Sequence, residues 1–253
     1  ICSPNYLHDS HIRYALRMNA HCICEKPLTL RPWNIDGLSS VSQSTDKKVF
    51  TILQLRLHER VIALKKEVED QLKSDPTHIF DVELTYITSR GNWYYASWKG
   101  DEEKSGGIAT NIGVHFFDML HWIFGPVQHQ KVHVRSHDRA SGVLSFKNAN
   151  VRWFLSINAA TLPETVVQNG GRIHRSLCFD QWSFDFTEGF TELHSRSYAH
   201  ILNDEGFSER DAHAAISIVH GMRESQISPL DSEAHPLASL PQDLHPFYPI
   251  KES

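Results

Sequence analysis

The stretch "CICEKPLTL", Cys22 to Leu30, decides the fold. Its first residues indicate a short buried strand, and the chain turns polar at Glu25 and Lys26 before it becomes apolar again. Pro27 has a fixed φ and restricts Lys26 to extended geometry, so the lysine side chain is aimed at little entropic cost. A lysine at this place is either a solvated loop residue or a group at the mouth of a site, and both interpretations stay open.

Helices and strands alternate on both sides of this stretch. The pattern predicts a helix in "HIRYALRMN" (11–19), a Pro-led helix in "RPWNIDGLSSVSQSTD" (31–46) and a strand in "KVFTILQLRL" (48–57). This alternation is typical of a parallel sheet with helices on its faces. We therefore predict that residues 1–57 form the C-terminal part of an α/β, doubly wound, Rossmann-type domain.

Polar clusters follow the predicted strands of this domain. They are "SPN" (3–5), "EKP" (25–27) and "QLRLH" (54–58). Ligands of doubly wound sheets bind at the carboxyl ends of the strands, so we expect a ligand site where these clusters converge.

From residue 58 onward the pattern changes. "ERVIALKKEVEDQLK" predicts a long amphipathic helix, and five later segments alternate apolar and polar residues as half-exposed strands do. Those segments are "HIFDVELTYIT", "VQHQKVHVRS", "SGVLSFKN", "VRWFLSIN" and "RSLCFDQWSFDF". We predict an α+β domain over residues 58–253 with a large, mainly antiparallel sheet, whose exposed face forms a homo-oligomer (dimer or tetramer).

Composition excludes several classes of function. The formal net charge of the 253 residues is −5, which leaves no basic field for nucleic acid or an anionic membrane. No apolar run reaches the ~18 residues that a membrane-spanning helix needs. The cysteines, at positions 2, 22, 24 and 178, lack further ligands at metal-site spacing, so we predict reduced thiols and no metal. Reduced thiols favour a reducing compartment, and we expect the cytoplasm.

The segment "KSGGIATNIGVHFFDMLHWIFG" (104–125) predicts a helix that carries candidate catalytic groups. Asn111 and His115 are four residues apart and share one helix face. Gly106 and Gly107 allow close backbone approach just before that helix. His115 is either a satisfied core residue or a catalyst, and both interpretations stay open, whereas we interpret His121 as a packing or surface residue.

The loop "TSRGNWYYASWKGDEEK" (88–104) combines cations with aromatic rings. Arg90, Lys99 and Lys104 could bind phosphate or carboxylate oxygens, and aromatic residues that include Trp98 could stack on a sugar or a base. The alternative is a surface loop with its aromatic rings tucked beneath it.

Three motifs together resemble a known family. At this spacing, "SPNYLH", "CEKPL" and "GGIATNIGVHFFD" are similar to the Gfo/Idh/MocA family of nicotinamide-dependent sugar oxidoreductases. "QLRLH", the segment from "LTYITSRG" to "VHFFDML" and "GFTELHSRSY" further resemble bacterial UDP-N-acetyl-2-amino-2-deoxyglucuronate dehydrogenases within it. The resemblance implies that the C3 hydroxyl of a UDP-sugar is oxidised as C3 passes a hydride to NAD, and that the 3-keto product serves surface polysaccharide synthesis.

The resemblance implies roles residue by residue. Lys26 matches the EKP lysine, which hydrogen-bonds the reacting hydroxyl, and His115 matches the histidine that acts as general base. Asn111 stands where many relatives have an aspartate, and because an amide cannot relay a proton it is implied to orient the sugar. The implied cofactor-binding positions are Ser3, Pro4, Asn5, His8, Glu25, Lys26, Pro27 and Gln54. With the loop residues added, the predicted substrate-binding positions are Arg56, Arg90, Trp98, Lys99, Lys104, Asn111 and His115.

The sequence departs from the family pattern in one respect. Members begin with a strand and a GxGxxG turn, and neither occurs in these residues, so we expect about two βα units to precede residue 1. Two alternatives stay open: another sugar or inositol dehydrogenase of the family, and a non-catalytic fragment that keeps the fold.

Overall fold

The computed structural model describes residues 1–180, 182–185 and 192–247. The N-terminal unit contains α1 (His8–Arg17), β1 (Cys22–Cys24), α2 (Pro32–Thr45) and β2 (Val49–Thr51). β1 and β2 pair in parallel, with Cys22 opposite Val49 and Cys24 opposite Thr51. The predicted partial Rossmann architecture is therefore confirmed.

Local sequence accounts for the ends of these elements. Pro32 occupies the first helical position of α2, where its missing N–H group has no helical partner to lose. Asp46 ends α2 in the left-handed conformation, with a φ of 53°. Cys22 and Cys24 are buried and their thiols are free, as expected for the core side of a short strand.

One predicted strand is shorter than expected. β2 ends at Thr51, and residues 54–57 form a 3₁₀ turn instead of continuing to Leu57. The backbone leaves extended geometry at Leu53, with ψ at 55°. The turn buries Leu55 and carries Arg56 toward the second unit, so tertiary contacts override the apolar alternation of the sequence.

The second unit begins with α3 (Glu59–Ser74), whose N-cap is His58: its imidazole accepts a hydrogen bond from the Arg60 amide. The strands that follow are β3 (Phe80–Thr88), β4 (Val127–Arg135), β5 (Arg139–Phe146), β6 (Ala149–Ser156), β7 (Ile173–Phe179) and β8 (Trp182–Asp185). The helices are α4 (Trp93–Ala96), α5 (Glu102–Ser105), α6 (Gly107–Phe124), α7 (Glu164–Gln168), α8 (Leu193–Leu202) and α9 (His213–Glu224).

Within the described residues, the strands of the second unit form one six-stranded sheet in the order β4-β5-β6-β3-β7-β8. All its pairs are antiparallel except β3 with β6, where Leu84 lies opposite Trp153. The predicted α+β unit with a mainly antiparallel sheet is confirmed. The parallel pair joins β6, which follows β5 by a hairpin, to β3, which lies much earlier in the chain.

Helix α6 packs across one face of this sheet and fixes the position of its polar residues. The rings of Phe117 and Trp153 lie 5.2 Å apart at nearly a right angle, and those of Phe116 and Tyr86 lie 4.8 Å apart. Gly113 lets the helix approach the sheet closely, since a Cβ there would lie 2.5 Å from the Leu155 side chain. A larger residue at 113 would therefore force the Leu155 and Phe117 side chains, or the helix itself, to shift.

The C-terminal segment lies on the opposite face of the sheet. The His235 ring stacks on Phe154 and forms a hydrogen bond with the Thr85 hydroxyl, 2.9 Å away. Lys131 of β4 pairs with Asp231, and so the chain covers part of the face that we predicted as an oligomer interface. An oligomer through this face stays a prediction. In the part of the chain that the structure describes, no helix has the length and apolarity needed to cross a membrane.

Candidate functional site

A cleft of about 290 Å³ lies where the EKP loop and the turn after β2 face helix α6 and the loop before it. This volume is near the lower end of the usual range for small-molecule sites. The lining residues are Glu25, Lys26, Gln54, Leu55, Tyr86, Arg90, Trp93, Tyr94, Lys99, Asn111, Ile112, His115, Phe116, Arg175 and His194. Both proposed catalytic residues, Lys26 and His115, therefore lie in one cleft.

Lys26 projects from the EKP loop against helix α6. Its ammonium donates a hydrogen bond to the main-chain carbonyl of Asn111, 2.7 Å away. Burial lowers the pKa of Lys26 to about 8, with Glu25 opposing the shift and Arg90 adding to it. A lysine with this pKa carries its proton at neutral pH and can still exchange it.

His115 lines the cleft and is half-buried. Its Nδ1 is buried and has no hydrogen-bond partner among the described residues. Burial, together with the nearby Lys26 ammonium, holds the pKa of His115 well below its usual range. The imidazole is therefore neutral at pH 7 and can accept a proton.

Asn111 lines the cleft, and both the oxygen and the nitrogen of its side-chain amide form hydrogen bonds. Asn5 Nδ2 donates to the Asn111 side-chain oxygen at 3.3 Å and to the Ser105 carbonyl at 2.8 Å. Asn111 Nδ2 donates to the Tyr94 hydroxyl at 2.8 Å. Asn5, a predicted cofactor-binding residue, is thus tied directly to the predicted sugar-orienting residue.

The predicted substrate-binding loop divides into two groups. Arg90 and Lys99 line the cleft, and the Lys99 ammonium lies 5.5 Å from the Trp93 ring centre and 5.1 Å from that of Trp98. Trp98 itself is outside the cleft lining. Lys104 is also outside it, because its ammonium pairs with Asp101 at 2.7 Å on the exposed side of α5.

Arg56, predicted as a substrate-binding residue, does not reach the cleft. Its guanidinium binds the carboxylate of Asp118 through two hydrogen bonds of 2.7 and 2.9 Å and donates to the Asp211 carbonyl at 3.1 Å. Both Arg56 and Asp118 are buried. In this structure Arg56 joins the N-terminal unit to α6, and its contact with a substrate stays a prediction.

Two cleft residues were missed by sequence reasoning. Arg175 enters from β7, opposite Tyr86 of β3, with its guanidinium 5.2 Å from the Tyr86 ring centre. His194 enters from the first turn of α8, and its Nε2 atom lies 3.3 Å from Oε1 of Glu25. Arg175 reaches the cleft through the pairing of β7 with β3, and His194 through a helix that is distant in sequence. No local motif therefore marks either residue.

The remaining predicted cofactor residues lie around the EKP loop. The two ring nitrogens of His8 lie 2.7 Å from the Pro27 carbonyl and 2.8 Å from the Ser3 carbonyl, so His8 joins this loop to the Ser3-Pro4 segment. Gln54 lines the cleft, and its buried side-chain oxygen has no hydrogen-bond partner in the described part of the chain. Unpartnered polar atoms on Gln54 and His115 suit the polar nicotinamide end of a dinucleotide, because buried polar groups require partners.

Two models of one oxidoreductase family match the chain. The model described as the NAD-binding Rossmann fold of that family matches residues 1–52, and the model of its C-terminal alpha/beta domain matches residues 76–174. Among curated relatives, an uncharacterized oxidoreductase of Synechocystis is 31% identical over 51% of this chain and 34% of its own length. The D-glucoside 3-dehydrogenase of Escherichia coli is 21% identical over 67% of this chain and 54% of its own length. The chain thus spans from about one third to about half of these relatives.

Solved structures give a closer comparison. The WlbA (WbpB) dehydrogenase from Thermus thermophilus, crystallised with NAD and alpha-ketoglutarate, is 44% identical with a TM-score of 0.88, over 93% of this chain and 75% of that one. The same enzyme in complex with NAD and UDP-GlcNAcA is 43% identical with a TM-score of 0.87, again over 93% of this chain and 75% of that one. The WlbA dehydrogenase from Bordetella pertussis shares the fold at 18% identity and a TM-score of 0.69, over 90% of this chain and 78% of that one.

Proposed function

Because the chain belongs to the Gfo/Idh/MocA oxidoreductase family, we propose that it catalyses the NAD-dependent oxidation of the C3 hydroxyl of UDP-N-acetylglucosaminuronic acid to the 3-keto sugar. The observation that carries the proposal is the meeting of Lys26 and His115 in one cleft with Arg90 and Lys99. A relative that is 43% identical binds NAD and UDP-GlcNAcA, which supports the same ligands here.

The proposed mechanism assigns one task to each catalytic group. Neutral His115 takes the proton of the C3 hydroxyl, and the Lys26 ammonium donates a hydrogen bond to the same oxygen as negative charge develops on it. When bound, NAD supplies the acceptor for the hydride that leaves C3. The carbon is thereby oxidised to a ketone, with the proton held on His115.

Charge in the cleft suits an anionic sugar. Arg90, Lys99 and Arg175 line it together with Lys26, although the whole chain has a formal net charge of −5. Such charge-assisted contacts are about twice as strong as neutral hydrogen bonds and favour a carboxylate or phosphate over a neutral polyol. This concentration of cations supports a sugar nucleotide rather than inositol.

The wider setting is part of the same proposal. The 3-keto product would serve 2,3-diaminouronate synthesis for lipopolysaccharide or O-antigen. Cys22 and Cys24 are buried, free thiols, and burial raises the pKa of Cys22 to about 11, so both suit a reducing cytoplasm. We also propose that the protein forms a homo-oligomer through the sheet of the second unit.

Isotope transfer tests the proposal directly. The intact protein is incubated with NAD and UDP-N-acetylglucosaminuronic acid carrying deuterium at C3, and the nicotinamide product is examined by mass spectrometry. We expect deuterated NADH from this substrate and undeuterated NADH from material labelled at C4. Oxidation of inositol or of a simple glucoside, with no reaction of the UDP-sugar, would contradict the assignment.

A further inference from the structure

The hydrogen bonds behind the cleft have a fixed direction, because one end of them is a main-chain carbonyl. The Asn5 Nδ2 atom lies 2.8 Å from the Ser105 carbonyl oxygen, which can only accept. The atom at this position must therefore be the amide nitrogen. The same nitrogen lies 3.3 Å from one side-chain atom of Asn111, which must in turn be the amide oxygen.

This direction continues from Asn111 to Tyr94. With its oxygen turned to Asn5, Asn111 presents its amide nitrogen to the Tyr94 hydroxyl at 2.8 Å. An amide nitrogen can only donate, so the phenol oxygen is the acceptor. The phenol proton is left to donate elsewhere, and in residues 1–180 and 192–247 no acceptor forms a hydrogen bond with it.

Tyr94 is placed to offer that proton to a ligand. Its side chain is 1% exposed, and it lines the same cleft as Lys26 and His115. Burial raises the pKa of the Tyr94 phenol to about 12, so the hydroxyl keeps its proton at neutral pH. A buried donor without an acceptor is costly, and an oxygen atom of a bound sugar removes that cost.

We propose that the Tyr94 hydroxyl donates a hydrogen bond to an acceptor oxygen of the bound sugar, and that the Ser105–Asn5–Asn111 hydrogen bonds set this polarity. The inference rests on the proposed function and deepens it, because it adds a substrate-binding residue to the site. Asn111 acts here through Tyr94 as a positioning residue, in addition to its own place in the cleft.

The direction of the network predicts the effect of an aspartate at position 111. A carboxylate can accept from Asn5 as the amide oxygen does, but it has no proton for Tyr94. The phenol would then donate to the carboxylate, and its proton would no longer reach the cleft. Tyr94 should therefore contribute to sugar binding when residue 111 is asparagine and not when it is aspartate.

A double-mutant cycle with UDP-N-acetylglucosaminuronic acid and NAD tests this on the intact protein. Tyr94→Phe should raise KM about fivefold to tenfold and leave kcat within about twofold, as expected for a lost hydrogen bond that ground and transition states share. Tyr95→Phe is the matched control, because the Tyr95 ring faces His137 and His245 rather than the cleft. In the Asn111→Asp background, Tyr94→Phe should leave KM unchanged.

Each result decides the matter. A wild-type KM in Tyr94→Phe, or an equal rise in KM in both backgrounds, overturns the donor role of Tyr94 while the proposed function stands. A wild-type protein that does not oxidise the UDP-sugar overturns the proposed function, and with it a sugar acceptor for Tyr94. A rise in KM confined to the asparagine background supports the proposal.

Discussion

Arg56 and Asp118 join the N-terminal unit to helix α6 through two buried hydrogen bonds of 2.7 and 2.9 Å. Asp118 lies one helical turn beyond His115, and Arg56 lies in the turn that carries Gln54 into the cleft. The pair therefore sets the distance between the two walls of the cleft. It holds His115, the proposed base, opposite the EKP loop from outside the cleft lining.

Breaking this pair should destabilise the protein. Asp118→Asn removes the carboxylate that binds the Arg56 guanidinium through two buried hydrogen bonds and leaves it only the more exposed Asp211 carboxylate, 3.4 Å away. Loss of one partner of a buried ion pair costs about 3–5 kcal/mol when no counter-charge remains, so we expect the free energy of unfolding in urea to fall measurably, by up to that amount. Asp70→Asn is the matched control, because the Asp70–Lys73 pair is exposed, and its denaturation midpoint should not change. Equal midpoints for the two variants would contradict the buried role of Asp118.

Removal of either catalytic group should slow turnover. Lys26→Met and His115→Ala should each lower kcat by about 10²-fold or more, the usual scale for loss of an acid–base group, with a smaller change in KM. His121→Ala provides the control, since His121 lies on the same helix outside the cleft lining. Its kcat should stay close to wild type, and near-wild-type turnover by either catalytic variant would reject the role given to that residue.

The two pKa shifts in the cleft predict the pH profile. The pKa of His115 lies well below 6.5, so the base is already unprotonated and kcat should not fall as pH decreases from 7 to about 6. The pKa of Lys26 is about 8 and its protonated form is the hydrogen-bond donor, so kcat should decline as pH rises through that value. Lys26→Arg should move the decline to higher pH, because arginine keeps its proton. An unchanged alkaline limb in that variant would assign the titration to another group.

The sequence predicted those parts of the fold and site that depend on local pattern. Period-two alternation marked the strands of the second unit, and the Gly-flanked helix with Asn111 and His115 marked one wall of the cleft. The EKP motif marked Lys26 because the end of a buried strand in a parallel sheet has a predictable place. These signals are contained within a few neighbouring residues.

The structure differs from the sequence-based expectations mainly where contacts join distant parts of the chain. Arg56 follows a strand, as ligand-binding residues often do, but its direction is set by Asp118, 62 positions later. Arg175 reaches the cleft because β7 pairs with β3, which no local pattern in either segment specifies. Lys104 lies in the loop that binds the substrate in our proposal, yet the nearby Asp101 holds its ammonium on the outer surface.

The separation of Lys99 from Lys104 gives a sharp test of substrate choice. Lys99 lines the cleft, whereas Lys104 pairs with Asp101 outside it. If a cation in the cleft binds the uronate carboxylate, the enzyme should prefer UDP-N-acetylglucosaminuronic acid over UDP-N-acetylglucosamine by at least about tenfold in kcat/KM, since ~1.4 kcal/mol gives a factor of ten. Lys99→Met should reduce this preference, because a charge-assisted hydrogen bond contributes about 1.5–3 kcal/mol. Lys104→Met, which removes a cation five residues further along the same loop, should preserve it. A loss of preference in Lys104→Met, or equal rates of the wild type on both sugars, would show that the carboxylate is not bound by the cations of this cleft.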